Sequence, residues 1–174
     1  DTTYPPHEFI EDGVVKGFDV DVVAAICERI NCVPNWVTTA WDGIFPALAD
    51  GQFDMVVSGV TITEERDKIV DFSDPYIIVQ QGILMRVSDK GATIDDFISG
   101  AMKLASQNGT TNAALGEELV GRDNLALFDS FNNAVIAVQN DDVDGVIIDS
   151  TSAAAYEQEF AVDLAVGITS FSSD

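Results

Sequence analysis

Positive charge is scarce in this sequence. Eight Lys and Arg residues stand against thirty Asp and Glu in 174 residues, which gives a formal net charge of −22 at pH 7. A surface this acidic repels phosphate backbones and anionic membranes, so we expect neither nucleic acid nor a lipid surface as a partner. The same charge favours a soluble monomer and is typical of proteins that work in salty water.

Cysteine and histidine are nearly absent, which limits the metal and nucleophilic chemistry open to the chain. Cys27 and Cys32 are the only cysteines and His7 the only histidine, whereas a structural zinc site needs four ligands. We therefore expect no metal and no cofactor. Cys27 lies in an apolar helical stretch, so the two cysteines are either buried thiols or a short disulfide, which needs an oxidising compartment.

Long hydrophobic runs are also missing, and none approaches the roughly 18 apolar residues of a membrane-spanning helix. Apolar residues still make up 47% of the chain, enough for a core. Helix-like and strand-like segments alternate, which predicts an α/β fold. Helices are predicted over 17–30, 41–48, 63–69, 93–97, 111–120, 130–140 and 150–159, and strands over 36–38, 53–58, 103–106, 125–128, 143–149 and 162–166.

An extended segment near residues 76–87 separates two α/β halves. Two small lobes joined by extended chain suggest a hinge with a cleft between the lobes. We predict a first lobe with its hinge strand over 1–83, a second lobe over 84–168, and the start of a returning hinge segment over 169–174.

The stretch SGVTITEERDKIVDFSDPY, residues 58–76, places one of the few cations beside small and hydroxyl-bearing residues. The planar guanidinium of Arg66 can hold a carboxylate through two hydrogen bonds, which Lys cannot do. Ser58, Gly59 and Thr61 can complete a nest for that anion. The alternative is a surface arginine paired with a neighbouring acid of its own helix.

Asp149 ends the strongly apolar strand segment VIID, at the end of a strand where α/β proteins bind ligands. Its carboxylate can take an ammonium group, or it can cap the helix that follows, and the two roles can coexist. The turn 108–111, NGTT, offers free backbone N–H groups to an anion. Taken alone, this turn is a weak signal.

Five segments together resemble a known family: DTTYPPHEF, GFDVDVVAAI, WDGIFPALADGQFDMVVSGVTITEERDKIVDFSDPY, NGTTN and DGVIIDS. They resemble the family 3 group of type 2 periplasmic solute-binding proteins, which serve amino-acid ABC importers. The resemblance implies two α/β lobes that close on an amino acid, like a Venus flytrap, and deliver it to permease subunits. It also implies a periplasmic or extracellular location, no enzyme activity, and a chain that lacks the C-terminal part of the first lobe.

The resemblance also assigns ligand-binding roles. It gives the ligand carboxylate to Arg66 and the 108–111 turn, the α-ammonium to Asp149, and the ligand side chain to Tyr4, Trp41 and Asp1. For the two aromatic residues the alternative is core packing, and for Asp1 a frayed terminus. The complete predicted set is Asp1, Tyr4, Trp41, Ser58, Gly59, Thr61, Arg66, Asn108, Thr110, Thr111 and Asp149.

Two other functions share this fold. One is the ligand-binding domain of a sensor or receptor, which the sequence does not separate from an importer subunit. The other is a cyclohexadienyl dehydratase-like enzyme, which needs a carboxylic acid with a raised pKa facing the leaving group. Asp149, expected to face a cation and stay ionised, argues against the enzyme.

Charge counting indicates the ligand side chain. An acidic amino acid needs a second cation near the first, and apart from Arg66 only His7 is expected near the pocket. Aromatic and acidic residues suit a neutral polar or basic side chain instead, such as that of glutamine, lysine or arginine.

Overall fold

Helices and strands alternate in both halves of the chain, so the predicted mixed α/β class is confirmed. The computed structural model describes the backbone of residues 2–173 and the side chains of residues 2–169. The chain divides into two units, Asp1–Ile77 and Ile78–Asp174. The lobe and hinge boundaries given above stay predictions.

The first unit contains three strands and three helices. They are β1 Thr3–Tyr4, β2 Glu8–Glu11, β3 Val14–Lys16, α1 Phe18–Ile30, α2 Ile44–Ala49 and α3 Glu64–Asp67. The strands form an antiparallel sheet in the order β1-β2-β3, with Phe9 opposite Lys16. The sequence analysis did not predict this small sheet. Its strands are two to four residues long, too short to show a clear alternation of apolar and polar side chains.

Gly17 allows the chain to pass from this sheet directly into α1. Its φ is 133°, and a Cβ there would lie 2.2 Å from the carbonyl oxygen of His7. Only glycine accepts both the backbone angle and this close approach. Helix α1 therefore starts directly beside β2, and Asp19, at its second position, is buried.

The buried residues of α1 are Asp19, Val23 and Cys27, each four positions after the last, as expected for one helix face. The helix ends at Asn31, which adopts the left-handed conformation with φ 57°. Cys27 forms a disulfide with Cys32 just beyond this end. Of the two states left open by the sequence, the structure has the disulfide.

Two predicted strands of the first unit, 36–38 and 53–58, are absent, and those predictions are wrong. Val37 and Met55, in the middle of these segments, are 56% and 51% exposed. A strand needs a neighbour for its backbone N–H and C=O groups. Within residues 2–173, no strand pairs with either segment. The residue types favour strands, but no ladder forms.

The second unit contains five strands and four helices, apart from short 3-10 turns at Val87–Asp89 and Arg122–Asn124. They are β4 Gln80–Arg86, α4 Ile94–Ile98, β5 Leu104–Gln107, α5 Thr111–Val120, β6 Leu125–Phe128, α6 Phe131–Gln139, β7 Gly145–Asp149, α7 Ser150–Glu159 and β8 Leu164–Ser173. All four helices match their predictions within one residue at each end. Over the described residues, no helix of either unit is long and apolar enough to cross a membrane.

The sheet of the second unit has the order β6-β5-β7-β4-β8. Strand β5 runs parallel to β6 and to β7, whereas β4 runs antiparallel to β7 and β8. Ile83, Met85, Phe97, Leu104 and Ile147 form the centre of its core, each at most 1% exposed. Because parallel neighbours end at the same edge, the residues after β5 and after β7 meet there, beside the start of β4.

Candidate functional site

Arg66 lies at the third position of α3 and is half-buried. Thr63 caps this helix by accepting a hydrogen bond from the Arg66 amide at 3.2 Å. The guanidinium turns back along the chain, and Nη1 donates to the carbonyl oxygen of Thr61 at 2.8 Å. This bond fixes the side chain beside the 58–61 turn, as the anion-nest interpretation requires.

Two aromatic rings support the same guanidinium. Its central carbon lies 5.4 Å from the ring centroid of Trp41 and 4.9 Å from that of Phe45. The rings meet edge to face, with centroids 5.6 Å apart. Trp41 is buried, so it packs in the first unit and also contacts the predicted ligand anchor. Such contacts hold a cation in place without neutralising it.

The sequence analysis missed Phe45. The available signal was its spacing, four residues after Trp41 in a segment predicted to be helical. The predicted start at 41 is wrong, however: helix α2 begins at Ile44, so Trp41 lies in the preceding turn and the two rings do not share a helix face.

Two buried carboxyl groups form hydrogen bonds with residues of the 58–61 turn. Asp19 Oδ2 accepts a hydrogen bond from the Gly59 amide at 2.7 Å. Ser58 Oγ and Glu8 Oε1 are hydrogen-bonded to each other. Asp19 also accepts from the Tyr76 hydroxyl at 2.9 Å, which ties the turn to the end of the same unit.

Gly59 adopts a left-handed backbone with φ 54°, and the space beside it is filled. A Cβ at this position would lie 3.2 Å from Cε1 of Tyr4. Tyr4 is buried and stacks on His7 with ring centroids 5.2 Å apart. The structure thus brings the predicted residue Tyr4 next to the predicted turn. Asp1, the remaining prediction in this unit, lies outside the described residues.

Burial is the largest cause of the pKa shifts next to the 58–61 turn. It raises the pKa of Glu8 to about 9, and the negative charge of Asp19 adds to this effect. Burial also raises the pKa of the Tyr76 hydroxyl, followed by the charge of Asp19 and its hydrogen bond. His7 Nδ1 lies 3.9 Å from Asp19 Oδ1. The sequence analysis gave neither Asp19 nor Glu8 a role, although both lie inside quoted motifs.

In the second unit, the turn after β5 begins α5. Thr110 caps the helix: its Oγ1 accepts from the Ala113 amide at 3.0 Å and donates to the Gln107 carbonyl at 2.7 Å. The Asn108 amide donates to the Phe128 carbonyl at 2.9 Å, so the turn is anchored to β6. These bonds fix a helix N-terminus at the edge where β7 also ends.

Asp149 stands at that edge, 3% exposed, as the last residue of β7. It occupies the cap position of α7, but its side chain makes no capping hydrogen bond. Instead, its Oδ1 accepts from Asn112 Nδ2 at 3.1 Å, across from the first turn of α5. The helix-cap alternative therefore does not describe how this carboxylate is used.

Gln81 completes this polar group. It is 1% exposed and pairs with Asp149 in the β4–β7 register. Its Nε2 donates to Thr111 Oγ1 at 3.1 Å. Sequence reasoning missed Gln81 and Asn112, because a strand glutamine and a helix asparagine carry no motif of their own. The topology brings Thr111 and Asp149, which were predicted, into one cluster with them.

Each unit therefore presents charged and polar groups that can bind a ligand group of opposite charge. The first offers a guanidinium and a glycine-containing turn, which suit a carboxylate. The second offers a buried carboxylate and a helix N-terminus, which suit an ammonium group and an anion. The ligand roles of both sets stay predictions.

Comparison with known proteins places this arrangement in context. Residues 1–163 match the family model described as bacterial extracellular solute-binding proteins, family 3. The chain is 35% identical over 156 residues to a probable histidine-binding protein of Neisseria gonorrhoeae, covering 88% of this chain and 58% of that protein. It is 31% identical over 149 residues to ABC transporter arginine-binding protein 1 of Escherichia coli K12, covering 85% and 60%.

A solved structure has a similar fold. The arginine-bound form of a truncated ArgBP from T. maritima aligns with a TM-score of 0.90 at 35% identity, covering 99% of this chain and 81% of that chain. The chain spans about three fifths of the length of the two curated relatives. All three proteins are named as binding proteins, in agreement with the prediction that this chain is not an enzyme.

Proposed function

The chain belongs to the bacterial extracellular solute-binding proteins, family 3, as its motifs predicted, and from this membership we propose that it captures a polar or basic amino acid for an ABC importer. The ligand is held without covalent chemistry. The protein works outside the cytoplasmic membrane, in the periplasm or at the extracellular face. Its macromolecular partners are the permease subunits of the importer.

The observation that carries the proposal is the setting of Arg66. Its guanidinium is fixed by the Thr61 carbonyl and by two aromatic rings, beside a turn that contains a left-handed glycine. A cation held in place in this way loses little side-chain freedom when a carboxylate binds, which favours affinity. Arg66, with Ser58 and Thr61, receives the α-carboxylate, while Gly59, whose N–H donates to Asp19, shapes the turn.

Asp149 receives the α-ammonium. It is buried, and Asn112 orients it through Oδ1. A buried carboxylate that is already hydrogen-bonded pairs well with a cation, because less desolvation is left uncompensated. Asn108, Thr110 and Thr111 at the start of α5 complete the contacts to the α-carboxylate. Closure of the two units on the ligand, which the family resemblance implies, is part of the proposal.

Several cations are engaged elsewhere, which supports a polar or basic ligand side chain. Lys16 pairs with Glu11, Lys90 pairs with Glu157, and Arg86 contacts Asp89, Asp141 and Asp144. These three cations are therefore less available to a second carboxylate on the ligand. Relatives named for histidine and arginine point to the same class of side chain.

A thermal-shift screen of the twenty amino acids tests the proposal. Arginine, histidine, lysine or glutamine should give the largest rise in melting temperature, since a ligand that binds only the folded state stabilises it. Calorimetry then gives the affinity of the best ligand. If no amino acid raises the melting temperature, or if glutamate and aspartate raise it most, the proposal is wrong.

A further inference from the structure

Two buried carboxyl groups are hydrogen-bonded to the 58–61 turn, the proposed carboxylate subsite, and neither is assigned to the ligand. Glu8 is 4% exposed and Asp19 is 1% exposed. One is hydrogen-bonded to Ser58 and the other to the amide of Gly59, the next residue. An ionised carboxylate near a proposed anion site repels the anion, whereas a neutral carboxyl group does not.

The bond between Ser58 and Glu8 can have either of two directions, and they have different consequences. A serine hydroxyl carries one hydrogen, and an ionised carboxylate can only accept. An ionised Glu8 therefore takes the single hydrogen of Ser58 and leaves only lone pairs for a ligand. A neutral Glu8 can instead donate its own hydrogen to Ser58 Oγ, so that the Ser58 hydrogen is available to another acceptor.

The surroundings of Glu8 favour the neutral form. Among the described residues, its Oε2 has no hydrogen-bond partner, although the atom is buried. The side chains that act on this region are the carboxylate of Asp19, the Tyr76 hydroxyl bound to Asp19, and His7 beyond Asp19. A buried charge without donors is costly, and a second carboxylate nearby increases that cost.

The titration of Glu8 agrees with this geometry. Burial raises its pKa to about 9, with a smaller contribution from Asp19. The hydrogen bond to Ser58 acts in the opposite direction. Glu8 therefore keeps its proton at neutral pH.

We propose that Glu8 is a positioning residue that donates a hydrogen bond to Ser58 Oγ and so directs the Ser58 hydroxyl hydrogen to the ligand carboxylate. Asp19 accepts from the Gly59 amide, so the backbone of the next residue is held in place by a bond that uses its N–H. The inference rests on the proposed function, because it assigns the anion to the 58–61 turn. It adds a consequence that the binding roles alone do not have: affinity depends on the proton of Glu8.

Calorimetry with L-arginine on the full chain tests this inference, comparing wild type with Glu8→Gln at pH 7 and pH 10. The glutamine amide keeps a donor at every pH. Titration of the ligand's own amine affects both proteins equally and cancels in their ratio. One pH unit above a pKa of about 9, the neutral fraction is about one tenth.

We expect Glu8→Gln to bind like wild type at pH 7 and to lose about tenfold less affinity than wild type between pH 7 and pH 10. Glu8→Ala, which has no donor, should bind more weakly than Glu8→Gln at pH 7. Identical pH profiles for wild type and Glu8→Gln would overturn the inference, as would equal affinities for the alanine and glutamine variants.

A ligand-free measurement separates this inference from the proposed function. The side-chain ¹³C shift of the Glu8 carboxyl, assigned by through-bond correlation to the Glu8 backbone in the wild-type chain, should report a neutral acid at pH 7. An ionised signal at pH 7 would overturn the inference whatever the protein binds. A neutral signal from a chain that binds no amino acid would leave the bond direction standing and remove the proposed function alone. This measurement uses the wild-type chain and so decides the question even if a variant fails to fold.

Discussion

The guanidinium carbon of Arg66 lies 4.9 Å from the ring centroid of Phe45, so an aromatic residue supports the cation proposed to receive the ligand carboxylate. Trp41 contacts the same guanidinium from a second ring. The Thr61 carbonyl accepts from Nη1, and together these contacts define the direction in which the remaining N–H groups can point. The anchor is thus positioned by Phe45 together with Trp41 and Thr61, which are themselves in the predicted ligand-binding set.

Replacing Arg66 should remove most of the affinity. Arg66→Ala should cost about 2–5 kcal/mol of binding free energy, because a charge-assisted pair is lost. Arg66→Lys should recover only part of this, since an ammonium cannot form the bidentate contact. Calorimetry with the best amino-acid ligand measures both. Binding by Arg66→Ala near the wild-type level would show that the carboxylate lies elsewhere.

Phe45 should matter for binding through Arg66. Phe45→Leu should weaken amino-acid binding by about 0.5–2 kcal/mol, the range of a cation–π contact. Phe45→Tyr keeps the ring and serves as the matched control. The two variants are compared by calorimetry after their melting temperatures have been shown to be similar. A leucine variant that binds as tightly as the tyrosine variant would exclude a role for the ring.

Asp149 should distinguish ligands that have an α-amine from those that do not. Asp149→Asn keeps the shape and the contact with Asn112 but removes the charge, so amino-acid affinity should fall by about 2–5 kcal/mol. The same substitution should affect the matching carboxylic acid without its amine much less. A fluorescence or calorimetric titration with both ligands gives the comparison. Equal losses for the two ligands would contradict pairing with the ammonium.

Glu8 should make the folded chain less stable as pH rises. Its pKa is raised from 4.5 to about 9 on folding, so the folded state holds a proton that the unfolded state has lost between these values. Unfolding then releases a proton, and the unfolding free energy contributed by this group falls by at most about 1.4 kcal/mol per pH unit. This loss begins near pH 4.5 and ends near pH 9.

The comparison with Glu8→Gln isolates that contribution. Urea denaturation at pH 5, 7 and 9 should show the variant gaining stability relative to wild type at each step, because glutamine does not titrate. Other acids contribute to both proteins and cancel in the difference. A stability difference that does not change with pH would mean that Glu8 titrates alike in the folded and unfolded states.

The helices of the second unit could be predicted from the sequence more reliably than the strands of the first unit. Helix α5 was predicted at Thr111–Val120 and α7 at Ser150–Glu159, as observed, because caps and periodicity are local signals. The segments 36–38 and 53–58 have apolar, β-branched character but find no partner strand within residues 2–173. Strand formation depends on a second segment, which a local pattern does not reveal.

A site residue could be predicted from the sequence when its residue type and position indicate one binding role. Arg66 and Asp149 stand out because cations are rare in this chain and because a carboxylate follows an apolar strand. Glu8, Phe45 and Gln81 could not be found in this way, since each acts through another side chain brought close by the fold. Such contacts join residues distant in sequence or hidden in ordinary apolar patterns.

The most direct measurement of the central claim compares three ligands on the wild-type chain by calorimetry: L-arginine, agmatine, and 5-guanidinopentanoic acid. Agmatine lacks the carboxylate assigned to Arg66, and the acid lacks the ammonium assigned to Asp149, while all three carry the same guanidinium. L-arginine should bind at least about 30-fold more tightly than either analogue, because loss of one member of a buried charge pair costs about 2 kcal/mol or more. An affinity for either analogue equal to that for L-arginine would contradict that claim.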